Sequence, residues 1–476
     1  MKTIALHNLG CKVNSYEVDV MQQLLQKAGY KIVQFNQKAD IYVINTCSVT
    51  NMADRKSRQM LHKARKMNSE AIVVAVGCFV QADAYQAAQD EAIDLLIGNN
   101  RKKDIVEILA AYEEETERIR AGELLYEQWQ AENIAPVAGA EGAPEEEQLR
   151  YLRKTLGNTT VVDVTRAAFE EACVETTAEH TRAYIKIQDG CNRFCSYCII
   201  PYTRGRVRSR VPEHVLAEVE GLAQSGYREF VLTGIHISSY GLDFEEKNPG
   251  KALLELMRGI NAIPGVERIR IGSFEPMILT PSFVKDLAAI EKLCPHFHIS
   301  LQSGSDATLK RMNRRYTSAE YLEKVELLRT AFQNPAITTD VIVGFPGETD
   351  EEFTETKEFL ERVGFYEMHI FKYSRRKGTR ADRMPDQIPE QLKTIRSNCL
   401  LALEQEMSGR YRDTFIGKEV PVLFEERKEV AGKQYWVGHT PEYVTVAAES
   451  NEDLTNRIVK VVLRGQLSAD VCVADL

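Results

Sequence analysis

From Ala183 onward, short apolar and β-branched runs alternate with helical patterns six times in about two hundred residues. Strands are expected at Ala183–Gln188, Glu229–Leu232, Arg268–Ile271, His298–Leu301, Thr338–Val343 and Glu367–Tyr373. Helical patterns lie between them, near 213–225, 250–262, 281–292, 318–332 and 350–362. A strand followed by a crossover helix makes parallel pairs, so six units suit a parallel barrel, complete or partial, with its site at the strand C-termini. The same rhythm fills residues 1–111. Strands are expected there at Thr3–Leu9, Asp40–Asn45, Ala71–Val76 and Asp94–Ile97, with helices at Tyr16–Lys27, Ala53–Lys66, Gln81–Gln89 and Lys102–Tyr112. After a last helix, Glu390–Arg410, the segments VPVLF, YWVGH, YVTVAA and RIVKVVLRG alternate with turn residues and read as a small all-β domain. The expected fold class is therefore α/β, with an N-terminal parallel domain (1–112), an acidic linker or insertion (113–176), a six-unit βα barrel core, complete or partial (177–408), and a small C-terminal all-β domain (409–476).

The N-terminus, MKTIALHNLG, has only four apolar residues before His7, and the longest clean apolar run is Ala71–Val76. Neither makes a signal peptide or a membrane span, so the chain is expected in the cytoplasm. Ten cysteines in 476 residues are too few for a disulfide scaffold, and in a reducing compartment they read as metal ligands or buried thiols. Cys191, Cys195 and Cys198, in DGCNRFCSYCIIPYTRGR, form a C-x3-C-x2-C run just past a strand. Three thiolates on one loop can wrap a cubane iron-sulfur cluster and leave one iron open, whereas structural zinc wants four ligands. Cys11 in LGCKVN, Cys47 in INTCSVT and Cys78 in AVGCFVQ each follow a strand of the first domain. Strand C-termini of an open parallel sheet share one edge, so these thiols are expected to converge as a second set. Cys173, Cys294, Cys399 and Cys472 are isolated and read as ordinary thiols.

The three-cysteine loop resembles that of the radical S-adenosylmethionine superfamily. The resemblance implies a 4Fe–4S cluster at the top of a partial (βα)6 barrel, and S-adenosylmethionine bound to the open iron and cleaved to a 5′-deoxyadenosyl radical. LGCKVNSYE, NTCSVT, VVAVGC and CNRFCSYCIIPYTRGRVRSR together resemble the methylthiotransferases. That implies an auxiliary cluster on Cys11, Cys47 and Cys78, making two 4Fe–4S clusters in all, and a C-terminal TRAM domain of OB-like form. GCKVNSYE, IIPYTRGRVRSR and LTGIHISSYG are most similar to the branch acting on N6-threonylcarbamoyladenosine in tRNA. The isopentenyladenosine-tRNA branch and the ribosomal-protein aspartate branch are the alternatives within the same chemistry, and a non-catalytic iron-sulfur RNA-binding regulator is the alternative from another class. The implied partners are tRNA, a flavodoxin- or ferredoxin-like electron donor and a sulfur source, for a monomeric enzyme.

At the barrel mouth, the resemblance assigns Thr233 and Gly234, opening LTGIHISSYG, to the amino group of S-adenosylmethionine, although the usual Gly-Gly-Glu run is absent. Tyr197, Ser273, Glu275 and Gln302 are further candidates for holding the cofactor, as is Gly344 in GFPGE. A plain turn or a structural hydrogen bond accounts for each of them as well. His236, His296 and His298 read as satisfied histidines. For RNA, the alternating Arg204, Arg206, Arg208 and Arg210 would point to one side of an extended chain, competing with a solvated ladder. Arg55, Lys56, Arg58, Lys63, Arg65 and Lys66, opposed only by Asp54, make a second patch, and Lys372, Arg375, Arg376, Lys377 and Arg380 a third. The net charge of −9 argues against a polyanion partner until it is apportioned. Residues 113–150 alone hold eleven Glu and three Arg, so the rest of the chain is nearly neutral and any RNA contact must come from local, salt-sensitive patches. From Tyr411 onward, eight basic residues face eleven acidic ones, which lends the last domain's charge no support for RNA binding.

Overall fold

The structure is a computed structural model and describes residues 1–120, 160–176, 181–244 and 249–476. The chain forms two compact units, one made of Met1–Val174 with Ile199–Arg206 and the other of Glu175–Cys198 with Val207–Leu476.

The first unit is a five-stranded parallel sheet of β1 (Thr3–Asn8), β2 (Lys31–Ile32), β3 (Ile41–Thr46), β4 (Ile72–Gly77) and β5 (Leu95–Ile97), in the order β2-β1-β3-β4-β5. Its central strands, IYVINT and IVVAVG, are buried on both faces, as helices above and below a parallel sheet require. Alternate residues divide between two cores: Tyr42 and Ile44 pack with Leu61, whereas Ile41 and Val43 pack with Met21, Leu25 and Leu109. These partners come from helices α1 (Lys12–Lys27), α2 (Asn51–Met67) and α5 (Ile105–Arg120); α3 (Cys78–Ala82) and α4 (Ala84–Ala88) follow β4. The edge strand β2 has only two residues, too short to leave a periodic signal.

The expected acidic linker is corrected where it is described. Residues 113–120 continue α5, and Thr160–Val174 belongs to the first unit. There Gln81 Nε2 donates to Val162 O at 2.9 Å, Tyr16 Oη donates to Ala172 O at 2.7 Å, and Val164 and Val174 are buried. Glutamate counting hides these valines, which have apolar surface to bury. Residues 121–159 of that segment lie outside the described residues.

In the second unit, β6 (Ala183–Asp189), β8 (Glu229–Gly234) and β9 (Arg268–Ile271) run parallel, and the short β7 (Arg208–Ser209) pairs antiparallel with β6. A second group, β10 (Ser273–Phe274), β11 (His296–Ile299), β12 (Ala336–Val343) and β13 (Glu367–Lys372), is also parallel. A bridge from Ile269 to Leu293 links the groups, so the six expected strands form one continuous run. β11 starts two residues before the expected His298 and ends before Leu301, because the chain turns at Gln302, whose φ is 76°. Helix Glu390–Asp413 then leads to a closed barrel of β14 (Glu419–Val430), β15 (Lys433–His439), β16 (Thr445–Ala448), β17 (Arg457–Gln466) and β18 (Cys472–Asp475). Among the described residues no helix is long and apolar enough to cross a membrane.

Candidate functional sites

β1, β3 and β4 are neighbours in the sheet, and Cys11, Cys47 and Cys78 each stand just past one of them. Gly10 makes the close approach possible. Its φ is 114°, and a Cβ there would lie 2.9 Å from Cys47 Cβ and 3.1 Å from Cys47 Sγ. Asn14 ties two of the strand ends together, its Nδ2 donating to Leu9 O at 2.7 Å and Thr46 O at 3.2 Å. Asn99 Nδ2 donates to Cys78 Sγ at 3.5 Å. Cys47 and Cys78 are buried while Cys11 is exposed, so the set has one open side. Burial pushes the Cys47 thiol up to about 12, with the neighbouring Cys78 adding to the shift. A thiol that resists ionisation on its own, as Cys47 does, suits a bound cationic iron centre, which stabilises thiolate. The donor set therefore fits an iron-sulfur cluster.

Arg204 belongs to this unit, and its role differs from the expected one. It is fully buried, with Nη1 2.7 Å from Glu17 Oε1 and Nη2 2.7 Å from Asn14 Oδ1, and Lys102 Nζ pairs with the same Glu17. The guanidinium thus braces the asparagine that joins two of the cysteine-bearing strand ends. It is no RNA-facing side chain. Arg208 and Arg210 are corrected likewise: Arg208 Nη2 lies 3.5 Å from Asp189, and Arg210 pairs with Glu218 with both side chains buried. Of the four, only Arg206 is exposed. The chain is not extended here: a helical turn spans Ile200–Thr203 and Gly205 has φ 72°, so the alternation does not give one face.

In the second unit, Cys191, Cys195 and Cys198 occupy the loop after β6, opened by Gly190 at φ 70°. The loop is pinned by Ser196, whose N–H donates to Met312 O at 3.0 Å and whose Oγ donates to Arg311 O at 2.8 Å. Arg193 N donates to Cys191 Sγ and Arg314 Nη1 to Cys195 Sγ, each at 3.4 Å. Such N–H···S contacts stabilise thiolate sulfur, while burial pushes Cys191 up to about 11. This set fits a cluster on the same grounds as the first. Tyr197 packs against the cluster of Met312, Phe345, Tyr373 and Ala381, its ring 6.4 Å from that of Phe345.

Glu275 is held by three side chains at the strand ends. His236 Nε2 lies 3.1 Å from its Oε2, Arg193 Nε 3.6 Å and Arg314 Nη2 3.7 Å away. Burial alone would raise its pKa, but His236, Arg314 and Arg193 outweigh it and hold the carboxyl down to about 2. His236 is satisfied at both ring nitrogens, as the sequence suggests, with Nδ1 2.6 Å from Ser239 Oγ, and the partner of its Nε2 is the Glu275 carboxylate. Gly234 accommodates Gln188, whose Cβ would lie 3.1 Å from an added Cβ, and Gln188 in turn accepts from His236 N at 2.7 Å. Thr233 and Gln302 are buried, and Ser273 pairs in register with His298. Gly344 serves packing: with φ 70°, an added Cβ would fall 2.3 Å from Lys393 Cγ. Arg193, Arg314, Asn14, Glu17 and Lys102 escape a sequence reading, because nothing in one sequence separates a buried charged side chain from a solvated one.

A six-stranded parallel run with a three-cysteine loop beyond its first strand defines a radical S-adenosylmethionine domain. The radical SAM superfamily model matches residues 185–360, and a model described as uncharacterized protein family UPF0004 matches residues 3–98. The threonylcarbamoyladenosine tRNA methylthiotransferase MtaB of Bacillus subtilis is 38% identical over 97% of this chain and 93% of its own length. That of Aquifex aeolicus is 35% identical over 97% and 100%. A tRNA-2-methylthio-N(6)-dimethylallyladenosine synthase of Thermoanaerobacter is 34% identical over 88% and 81%. The chain belongs to the threonylcarbamoyladenosine tRNA methylthiotransferase family.

Proposed function

We propose that this protein is a tRNA methylthiotransferase, converting N6-threonylcarbamoyladenosine at position 37, beside the anticodon, to its 2-methylthio derivative. The observation that carries the reading is the presence of two separate three-cysteine sets, one at a sheet edge in each unit. Carbon 2 of adenine has neither an acidic proton nor a leaving group, so general acid–base catalysis has nothing to work on there. Bound S-adenosylmethionine and iron-sulfur clusters supply the radical, the methyl group and the sulfur.

The chain's own residues hold and orient these groups. Cys191, Cys195 and Cys198 ligate the cluster that works with S-adenosylmethionine, and Cys11, Cys47 and Cys78 the auxiliary one. Ionised Glu275, fixed by His236, offers a carboxylate to the cofactor's cationic or hydroxyl groups. Arg314 donates to Cys195 and braces Tyr316 with Nε 2.8 Å from Oη, keeping the loop on its strand ends. Thr233, Ser273, Gln302 and Tyr197 line the cofactor's surroundings. The exposed cations of α2, together with Arg206, meet tRNA phosphates. Function divides among the N-terminal domain, with Thr160–Val174 added to it, the barrel core to residue 408 and the all-β domain 409–476, in a monomer that works in the cytoplasm with an external electron donor and sulfur source. Replacing Cys191 with Ala is expected to abolish both 5′-deoxyadenosine formation under dithionite and the methylthio nucleoside seen by mass spectrometry. Retained product would overturn the assignment.

A further inference from the structure

Alternate residues of β11, β12 and β13 divide between two faces. Phe297, Ile299, Ile337, Val341, Val343 and Met368 pack into the main core. His298, Asp340 and His369 therefore share the opposite face. On that face Ile342, two residues along β12 from Asp340, packs against the cluster of Met312, Phe345, Tyr373 and Ala381, which Tyr197 of the three-cysteine loop also packs against. The rise of a strand sets Asp340 about 7 Å from Ile342 along β12. His298 is fixed from both sides, with Nδ1 3.1 Å from Thr338 Oγ1 and Nε2 3.3 Å from Asp340 Oδ2. One nitrogen or oxygen from each of His298, Asp340 and His369 falls within 4.8 Å of the others, and the two imidazoles stack at 5.8 Å. The Asp340 side chain retains 29% of its exposure and His369 is exposed, so both can reach a bound molecule.

We infer that Asp340 and His369 read the N6 substituent of the adenosine, accepting one that carries hydrogen-bond donors and a carboxylate and rejecting an apolar one, with His298 as a positioning residue behind Asp340. This rests on the function proposed above. A threonylcarbamoyl group offers ureido N–H and hydroxyl donors to the Asp340 carboxylate, and carbonyl and carboxylate oxygens to an imidazole N–H. A dimethylallyl group offers neither. It would strip water from a carboxylate and an imidazole and return no hydrogen bond, the situation in which polar sites discriminate most strongly.

The test uses full-length reconstituted protein and two tRNAs, one bearing threonylcarbamoyladenosine and one bearing dimethylallyladenosine. His369→Leu and Asp340→Asn are expected to lower kcat/KM on the first by roughly a hundredfold and to reduce the preference for it over the second by the same factor. Because His369 is exposed, His369→Leu should keep the fold, checked by unchanged iron and sulfide content. Equal loss on both tRNAs, or no loss on either, overturns the inference. A divalent cation beyond the cluster iron that wild type holds and both variants lose would also overturn it, making the three residues a metal site. Wild type that fails to modify threonylcarbamoyl tRNA instead sinks the function itself, whatever the variants do.

Discussion

Single residues carry two kinds of information here, and only one is visible in the sequence. A cysteine declares its chemistry by type and spacing, so both three-cysteine sets are legible in the chain itself. A buried arginine is not, because its type is the same in water and in a core. Glu17 illustrates the consequence. It stands against Arg204 and Lys102, all three nearly fully buried. Glu17→Ala removes the buried carboxylate that both cations face and is expected to cost about 3–5 kcal/mol, read as a lower urea midpoint by circular dichroism. Gly10 is a second case. Gly10→Ala must both strain a φ of 114° and push on Cys47, so the purified protein is expected to lose roughly half its cluster iron while keeping the cluster on Cys191, Cys195 and Cys198.

At the scale of elements, period and capping make most helices and strands legible. α2 begins where Thr50 Oγ1 accepts from Ala53 N at 3.1 Å, and its exposed Arg55, Lys56 and Arg58 are the expected basic patch. Reversing these three to Glu should weaken tRNA binding and make log affinity depend less steeply on log salt, by about one for each phosphate the protein no longer neutralises. A filter-binding series in potassium chloride measures both, and an unchanged slope would remove α2 from the interface. What fails at this scale fails for lack of length or context. β2 has two residues, and Arg204–Arg210 reads as an alternating strand but folds as a helical turn, a glycine kink and a two-residue strand.

Across the second unit, the closed barrel is joined to β8 and β9 by charge and aromatic stacking. Arg268 donates to His439 O at 3.0 Å, Arg270 lies 4.7 Å above the Tyr443 ring, and His439 stacks on that ring at 4.5 Å. Burial would raise the Glu229 carboxyl, but Arg270, Arg182 and Arg268 overcome it and hold the pKa at about 2. This folded value lies below the ordinary 4.5 of the unfolded chain, so Glu229 contributes its full stability above pH 4.5 and loses it as the pH falls toward 2. Burial lowers His439 below 6.5 despite Glu425, so the unfolded chain takes that proton more readily and stability also falls as the pH drops below about 6.5. Melting temperature should decline in two stages on acidification, and His439→Gln should flatten only the upper one. The sequence by itself determined the βα rhythm, the six-stranded run, the final β domain and the six cysteines, because periodicity and thiol chemistry are local properties. Only the tertiary structure decided which charges are buried. It took Arg204, Arg208 and Arg210 from an imagined RNA surface into ion pairs, drew Thr160–Val174 into the first unit, and gathered His236 onto Glu275, since burial and pairing depend on neighbours far away in the chain.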